Sequence, residues 1–192
     1  MQPPLSIIGR TGRAPCRRRP VNSALGPAEH PMPNNTSIEP ARAEEAAEFI
    51  QLRGRTRENA VSEIRLASIG VTATTWAADI RSGLLLGFTA KESGRLVGYC
   101  FGNTETGEIV VLALLPEAES QGIGRTLLNQ VVAVLRVRGH QRLFLGCSAD
   151  PNVRSHGFYR RLGWRPTGVL DSHDDEILEL NLGANESSAS VA

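Results

Sequence analysis

Cysteine is sparse in this 192-residue chain: Cys16, Cys100 and Cys147 are an odd number, scattered and without C-x-x-C spacing. That argues against a disulfide framework and a zinc site, and it suits a reducing cytoplasm. Charge of one sign is equally lacking. With 21 Lys and Arg against 20 Asp and Glu the formal net charge is +1, so no global field draws the chain to nucleic acid or to an anionic membrane. Long hydrophobic runs are missing too, since stretches such as Ile109 to Pro116 are far too short to span a bilayer. What remains is the composition of one soluble domain, 41% hydrophobic and large enough to bury a sizeable core.

The chain is not uniform along its length. Six of the eleven prolines precede Met32, together with Arg10, Arg13, Arg17, Arg18 and Arg19 and little hydrophobic periodicity. Residues 1–35 therefore read as a disordered tail or an over-extended start, with Met32 as the expected first residue of the functional chain. Residues 36–183 form the expected domain and residues 184–192 a disordered C-terminal tail.

Within the domain the pattern alternates between periods of about 3.6 and 2. A first strand at Ile38 to Ala41 leads to helices at Ala43 to Arg53, at Ala60 to Ile69 and, capped by Thr74 and Thr75, around Trp76 to Arg81. Strands follow at Leu84 to Lys91, Leu96 to Gly102 and Ile109 to Leu115, joined by turns at Ser93-Gly94-Arg95 and Thr104 to Gly107 that suit antiparallel hairpins. A helix after Gly124 sets Leu127, Leu128, Val131, Val134 and Leu135 on one side and ends at Gly139. A strand at Arg142 to Cys147, a helix over about Asn152 to Leu162 and strands at Gly168 to Leu170 and Glu176 to Leu180 complete a mixed α/β sheet. The helix between them predicts that the Ile109 and Arg142 strands run parallel.

The chemistry concentrates between Ile109 and Arg125, where an apolar strand runs through a proline-bounded turn into Gly122-x-Gly124 and on into a helix. Glycines let backbone N–H groups converge, and the first turn of a helix adds unpaired N–H groups and the positive end of its dipole, so the expected ligand is an anion. A nucleotide P-loop is excluded because Gly122-Ile123-Gly124-Arg125-Thr126 has no lysine and the wrong spacing. A dinucleotide fingerprint is excluded because Leu127 stands where its third glycine belongs. A coenzyme A pyrophosphate is the reading left standing.

Two segments carry a family resemblance: Leu112 to Leu128 (L-A-L-L-P-E-A-E-S-Q-G-I-G-R-T-L-L) and Asn152 to Trp164 (N-V-R-S-H-G-F-Y-R-R-L-G-W). In this order and at this separation, the chain from about Ile38 to Leu182 resembles the GCN5-related N-acetyltransferases (GNAT). The resemblance implies a single domain with a mostly antiparallel sheet, a central parallel pair splayed to hold coenzyme A, and helices on both faces. It implies acetyl-CoA as cosubstrate without a metal, with the acetyl group passing to a primary amine by direct attack in a ternary complex. Leu112, Ala113 and Leu114 would offer backbone groups to the pantetheine arm, and Ser120, Gln121, Gly122, Ile123, Gly124 and Arg125 would wrap the pyrophosphate. Asn152 would hydrogen-bond the cofactor, Tyr159 would protonate the departing thiolate, and a backbone N–H near Leu114 would stabilise the oxyanion.

Two positions depart from the family's pattern. Glu119 stands where Arg or Gln commonly opens the loop, and a carboxylate there repels a pyrophosphate unless it points away. Related ribosomal-protein acetyltransferases carry a glutamate on the strand matching Leu143 to Ser148, where this chain has Gly146 and Cys147. An ammonium must still lose a proton before attack. Glu108 is the candidate base, ahead of Glu105 and Asp150. A small metabolite, an antibiotic and a protein amine all fit as acceptor, and a homodimer is the expected assembly. The competing readings are a silent acyl-CoA sensor or interaction module and a nucleotide-binding protein.

His156 and the run His173-Asp174-Asp175-Glu176 read as a surface residue and a polar hairpin turn, Trp76 as a core anchor, and Cys147 as a small buried strand residue.

Overall fold

The computed structural model describes residues 35–58 and 60–183, so the expectations for the two tails lie outside the described residues. Strands β1 (Thr36–Pro40), β2 (Leu85–Glu92), β3 (Arg95–Asn103) and β4 (Ile109–Leu114) form one antiparallel sheet in the order β1-β2-β3-β4. Strands β5 (Arg142–Ser148), β6 (Arg165–Leu170) and β7 (Asp175–Asn181) form a second, in the order β5-β7-β6. The two sheets are joined between β4 and β5 by a single parallel bridge, Glu108 to Phe144. The parallel pairing read from the sequence is thus confined to the root of the two strands. Beyond it they diverge, and the outer edge of β4 faces a cleft instead of a neighbour.

Helices cover both faces. On one, α1 (Ala46–Arg53) and α3 (Ala73–Ser82) bring Phe49 and Trp76 onto Tyr99 and Phe101 of β3, with ring centroids 5.0 to 6.0 Å apart. The one polar atom of Tyr99 is provided for, since its hydroxyl donates to the Phe49 carbonyl at 3.0 Å. On the other face, α4 (Ile123–Val137) buries Ile123, Leu127, Leu128, Val131 and Leu135. That 3.6-period stripe supplies roughly 1.5–3 kcal/mol per fully buried side chain. The short helix α2 (Glu63–Ser68) begins at a Ser62 cap, and α5 (Arg154–Arg161) follows β5.

The start of α3 differs from the expected cap. Thr72, not the Thr74-Thr75 pair, caps it: its hydroxyl accepts from the Thr75 N–H at 3.1 Å and the Thr75 hydroxyl accepts from the Thr72 N–H at 2.9 Å. A hydroxyl reaches the N–H three residues on, so Thr75 serves as the reciprocal partner inside the helix.

One irregularity shapes the cleft. Phe101 pairs with Val111 and Gly102 with Ile109, leaving Val110 as an extra residue in β4. Such a bulge bends the strand and resets which residues share a face, at the edge where the cleft opens.

Candidate active site between the two sheets

A cleft of about 590 Å3 opens between β4 and β5. Its walls come from Ile109 to Leu114 on one strand, Leu145 and Gly146 on the other, the start of α4, and the Pro151 to Arg161 region. Of the residues read from the sequence, Leu112, Ala113, Leu114, Ser120, Gly122, Gly124, Arg125, Asn152 and Tyr159 line it together. Ile123 is fully buried in the core, and the Gln121 amide donates to the Glu117 carbonyl. Both flank the cleft without lining it.

The loop before α4 has an unusual backbone. Ser120 and Gly122 take left-handed φ of 63° and 81°, and alternating left- and right-handed backbone of this kind is the conformation in which successive N–H groups can form an anion-binding concavity. Gly124 lets the helix start close against β4, since a Cβ there would stand 2.9 Å from a Leu114 methyl. At the far end of the cleft, Tyr159 is held between Phe158 and Trp164 at 5.1 and 6.1 Å. The chain reverses after α5 and the Trp164 N–H returns to the Tyr159 carbonyl at 3.2 Å, which explains why Leu162-Gly163-Trp164 follows this tyrosine. Burial pushes the phenol above its usual range, so it stays protonated. The Asn152 amide donates to Asp150 at 2.8 Å, which orients it and leaves its carbonyl oxygen as an acceptor.

The proposed bases occupy different surroundings. Glu108 is only 6% exposed, at the root where the sheets meet, just outside the cleft lining. Burial, with the charge of Asp171 adding to it, raises its carboxyl above the usual carboxylate range. Glu105 and Asp150 are exposed turn residues. Cys147 is fully buried, and burial pushes its thiol up to about 11, which suits a core residue and not a nucleophile. Trp76 is a core anchor, and His173 lies in the turn between β6 and β7. Among the described residues, no group of three or more His, Cys, Asp or Glu is arranged to hold a metal ion.

Sequence reasoning passed over the basic lining. Arg53, Arg57, Arg154 and Arg161 line the cleft beside Arg125. Glu119 turns out to be paired: its Oε2 accepts from Arg57 Nε at 3.0 Å and from Arg154 Nη1. The run Arg53-Gly-Arg55-Thr-Arg57 was the available signal, three arginines at alternate positions leaving a helix.

Residues 47–164 match the profile of the acetyltransferase (GNAT) family. Mycothiol acetyltransferase from Clavibacter michiganensis is 27% identical over 151 residues, 78% of this chain and 49% of that protein. The Beutenbergia cavernae enzyme of the same name is 39% identical over 64 residues, 33% of this chain and 21% of its own length. The chain thus spans half or less of the mycothiol acetyltransferases it matches. Among solved structures, the PaiA N-acetyltransferase of Thermoplasma acidophilum in complex with coenzyme A superposes with a TM-score of 0.58 at 20% identity, covering 76% of this chain and 99% of that one.

Proposed function

This chain belongs to the GNAT acetyltransferase family, and from that premise we propose that it is an acetyl-CoA-dependent N-acetyltransferase acting on a primary amine in the cleft between its two sheets. The observation that carries the reading is the splay itself. An edge strand with open backbone groups, an anion-directed loop at one end and a buried, protonated tyrosine at the other match the extended arm, the pyrophosphate and the sulfur of one ligand. The bound cosubstrate supplies the acetyl thioester. Ser120, Gly122 and Gly124 direct main-chain N–H groups to the phosphates, Arg125 adds charge, and Asn152 accepts from the arm. Leu112 to Leu114 hold the arm against the strand edge, and a backbone N–H near Leu114 faces the developing negative charge.

Tyr159 donates its hydroxyl hydrogen toward the sulfur. Burial keeps the phenol protonated and reluctant to give its proton up, so its contribution is a hydrogen bond that stabilises the thiolate as it leaves. Glu108 takes the proton from the amine, directly or through water. Its raised affinity for protons brings it closer to neutral and makes it a better base than an exposed carboxylate.

Relatives are named for mycothiol and for a ribosomal-protein alanine, so a small molecule and a protein amine both stand as acceptor classes. Calorimetric titration with acetyl-CoA, with ATP as control, tests the cofactor. Micromolar binding of acetyl-CoA alone is expected, followed by thiol release with an amine. Binding without turnover across an amine library would favour the sensor reading, and equal binding of ATP would sink the assignment.

A further inference from the structure

Three segments far apart in sequence are tied together across the mouth of the cleft. Glu119, in the loop before α4, is 16% exposed at its side chain and accepts from Arg57 Nε at 3.0 Å and from Arg154 Nη1. Arg154 Nη2 donates to the Ser120 hydroxyl at 3.0 Å, and the Arg154 main-chain N–H donates to Glu58 Oε2 at 3.1 Å. All five residues line the cleft, and two of them, Glu119 and Ser120, belong to the loop before α4.

The balance of charge in this group is the key point. A carboxylate fixed in the anion loop would oppose a pyrophosphate by like-charge repulsion. Two guanidiniums drawn onto that carboxylate are the charges a pyrophosphate needs, and their planar forks suit phosphate oxygens as well as a carboxylate. The ion pairs are also weak enough to exchange. The Arg57 and Arg154 side chains are 55% and 49% exposed, and water screens pairs of that exposure strongly.

We propose that Arg57 and Arg154 are phosphate ligands of this cleft and that Glu119 is the internal anion they exchange for the pyrophosphate of the cofactor. The proposal rests on the coenzyme A reading above. It assigns the charge missing from the loop position of Glu119 to two other segments, the α1–α2 connection and the head of α5. Arg154 lies five residues before Tyr159 on that helix, so one anion would link the loop, the connection and the helix that carries Tyr159.

Coenzyme A and pantetheine, the same arm without its pyrophosphate and nucleotide, separate this idea from its premise. Both ligands are titrated into the wild-type protein and into Glu119→Gln, Arg57→Gln and Arg154→Gln, with a melting curve for each variant to establish that it is folded. Glu119→Gln should bind coenzyme A about three- to tenfold more tightly, and each arginine variant about tenfold more weakly, with pantetheine unchanged throughout. Arg154→Lys, which keeps charge but loses the fork, should fall between wild type and Arg154→Gln and serves if the glutamine variant does not fold. Wild-type affinity for coenzyme A in the arginine variants, weaker or unchanged binding by Glu119→Gln, or pantetheine moving in parallel would each overturn the proposal. A wild-type protein that binds no coenzyme A would instead overturn the cofactor reading on which it rests.

Discussion

At the scale of single residues, burial sets the chemistry. Tyr159 keeps its proton because it is enclosed, and the hydroxyl is asked to act as the thiolate departs. Tyr159→Phe should therefore lower kcat by about 10²-fold while acetyl-CoA affinity, measured by calorimetry, stays within about twofold. Equal losses in both would make Tyr159 a packing residue. Asp175 shows the same physics without a catalytic task. It is 4% exposed, its Oδ2 has no hydrogen-bond partner, and burial, with Asp171 adding to it, raises its carboxyl to about 6 from 3.8. The folded state then holds a proton that the unfolded chain releases, so Asp175 subtracts stability progressively as pH rises from about 4 to about 6, and fully above that. Asp175→Asn should stabilise the fold by on the order of 2 kcal/mol at pH 8 and by nearly nothing at pH 4. Denaturant melts at the two pH values check it, and a gain independent of pH would show that the carboxylate is not the cause.

At the scale of elements, the anion loop depends on backbone conformation more than on side chains. Gly122 has φ of 81°, which a β-branched residue adopts only under strain, and its peptide is among those we assign to the phosphates. Gly122→Val should weaken acetyl-CoA binding about tenfold or more, with kcat at saturation changed much less than by Tyr159→Phe. The reverse pattern in steady-state kinetics would contradict the division of labour between loop and tyrosine. Elements of this kind were legible in the sequence because their signals are local. The apolar stripe of α4, the hairpin at Ser93-Gly94 and the glycines before the helix each act within a few residues. Where local signals competed, the reading slipped. Three threonines lie at Thr72, Thr74 and Thr75, and only the geometry of the first turn of α3 selects Thr72 as its cap. The role of the run Arg53 to Arg57 is likewise hidden from local signals, because nothing within reach in sequence shows that Glu119, 62 residues away, meets Arg57.

At the scale of the whole molecule, the parts that sequence could not supply are the ones that depend on two sheets meeting. The resemblance implied a splay. That it narrows to the single bridge between Glu108 and Phe144, with a buried carboxylate at its root, follows from how β4 bulges and how β5 turns to pair with β7. This arrangement has a mechanical consequence. Each half has its own antiparallel ladder, and between them the cleft removes the hydrogen bonds a continuous sheet would have, leaving the core, the one bridge and side-chain ties such as Arg154 to Glu119 and His140 to the Thr104 carbonyl to hold the halves in register. A ligand seated along the edge of β4 and against the α5 side would add contacts to both halves at once, so binding should stabilise the entire fold cooperatively. At a hundredfold excess over Kd the linkage contributes about 2.7 kcal/mol, which for a domain of this size raises Tm by about 5–10 °C. Hydrogen exchange should slow with it in 110–114 and in 145–148 together. Stabilisation confined to the β4 side would mean that the ligand rests on one sheet only, and the cleft would then not be the junction through which the two halves are joined.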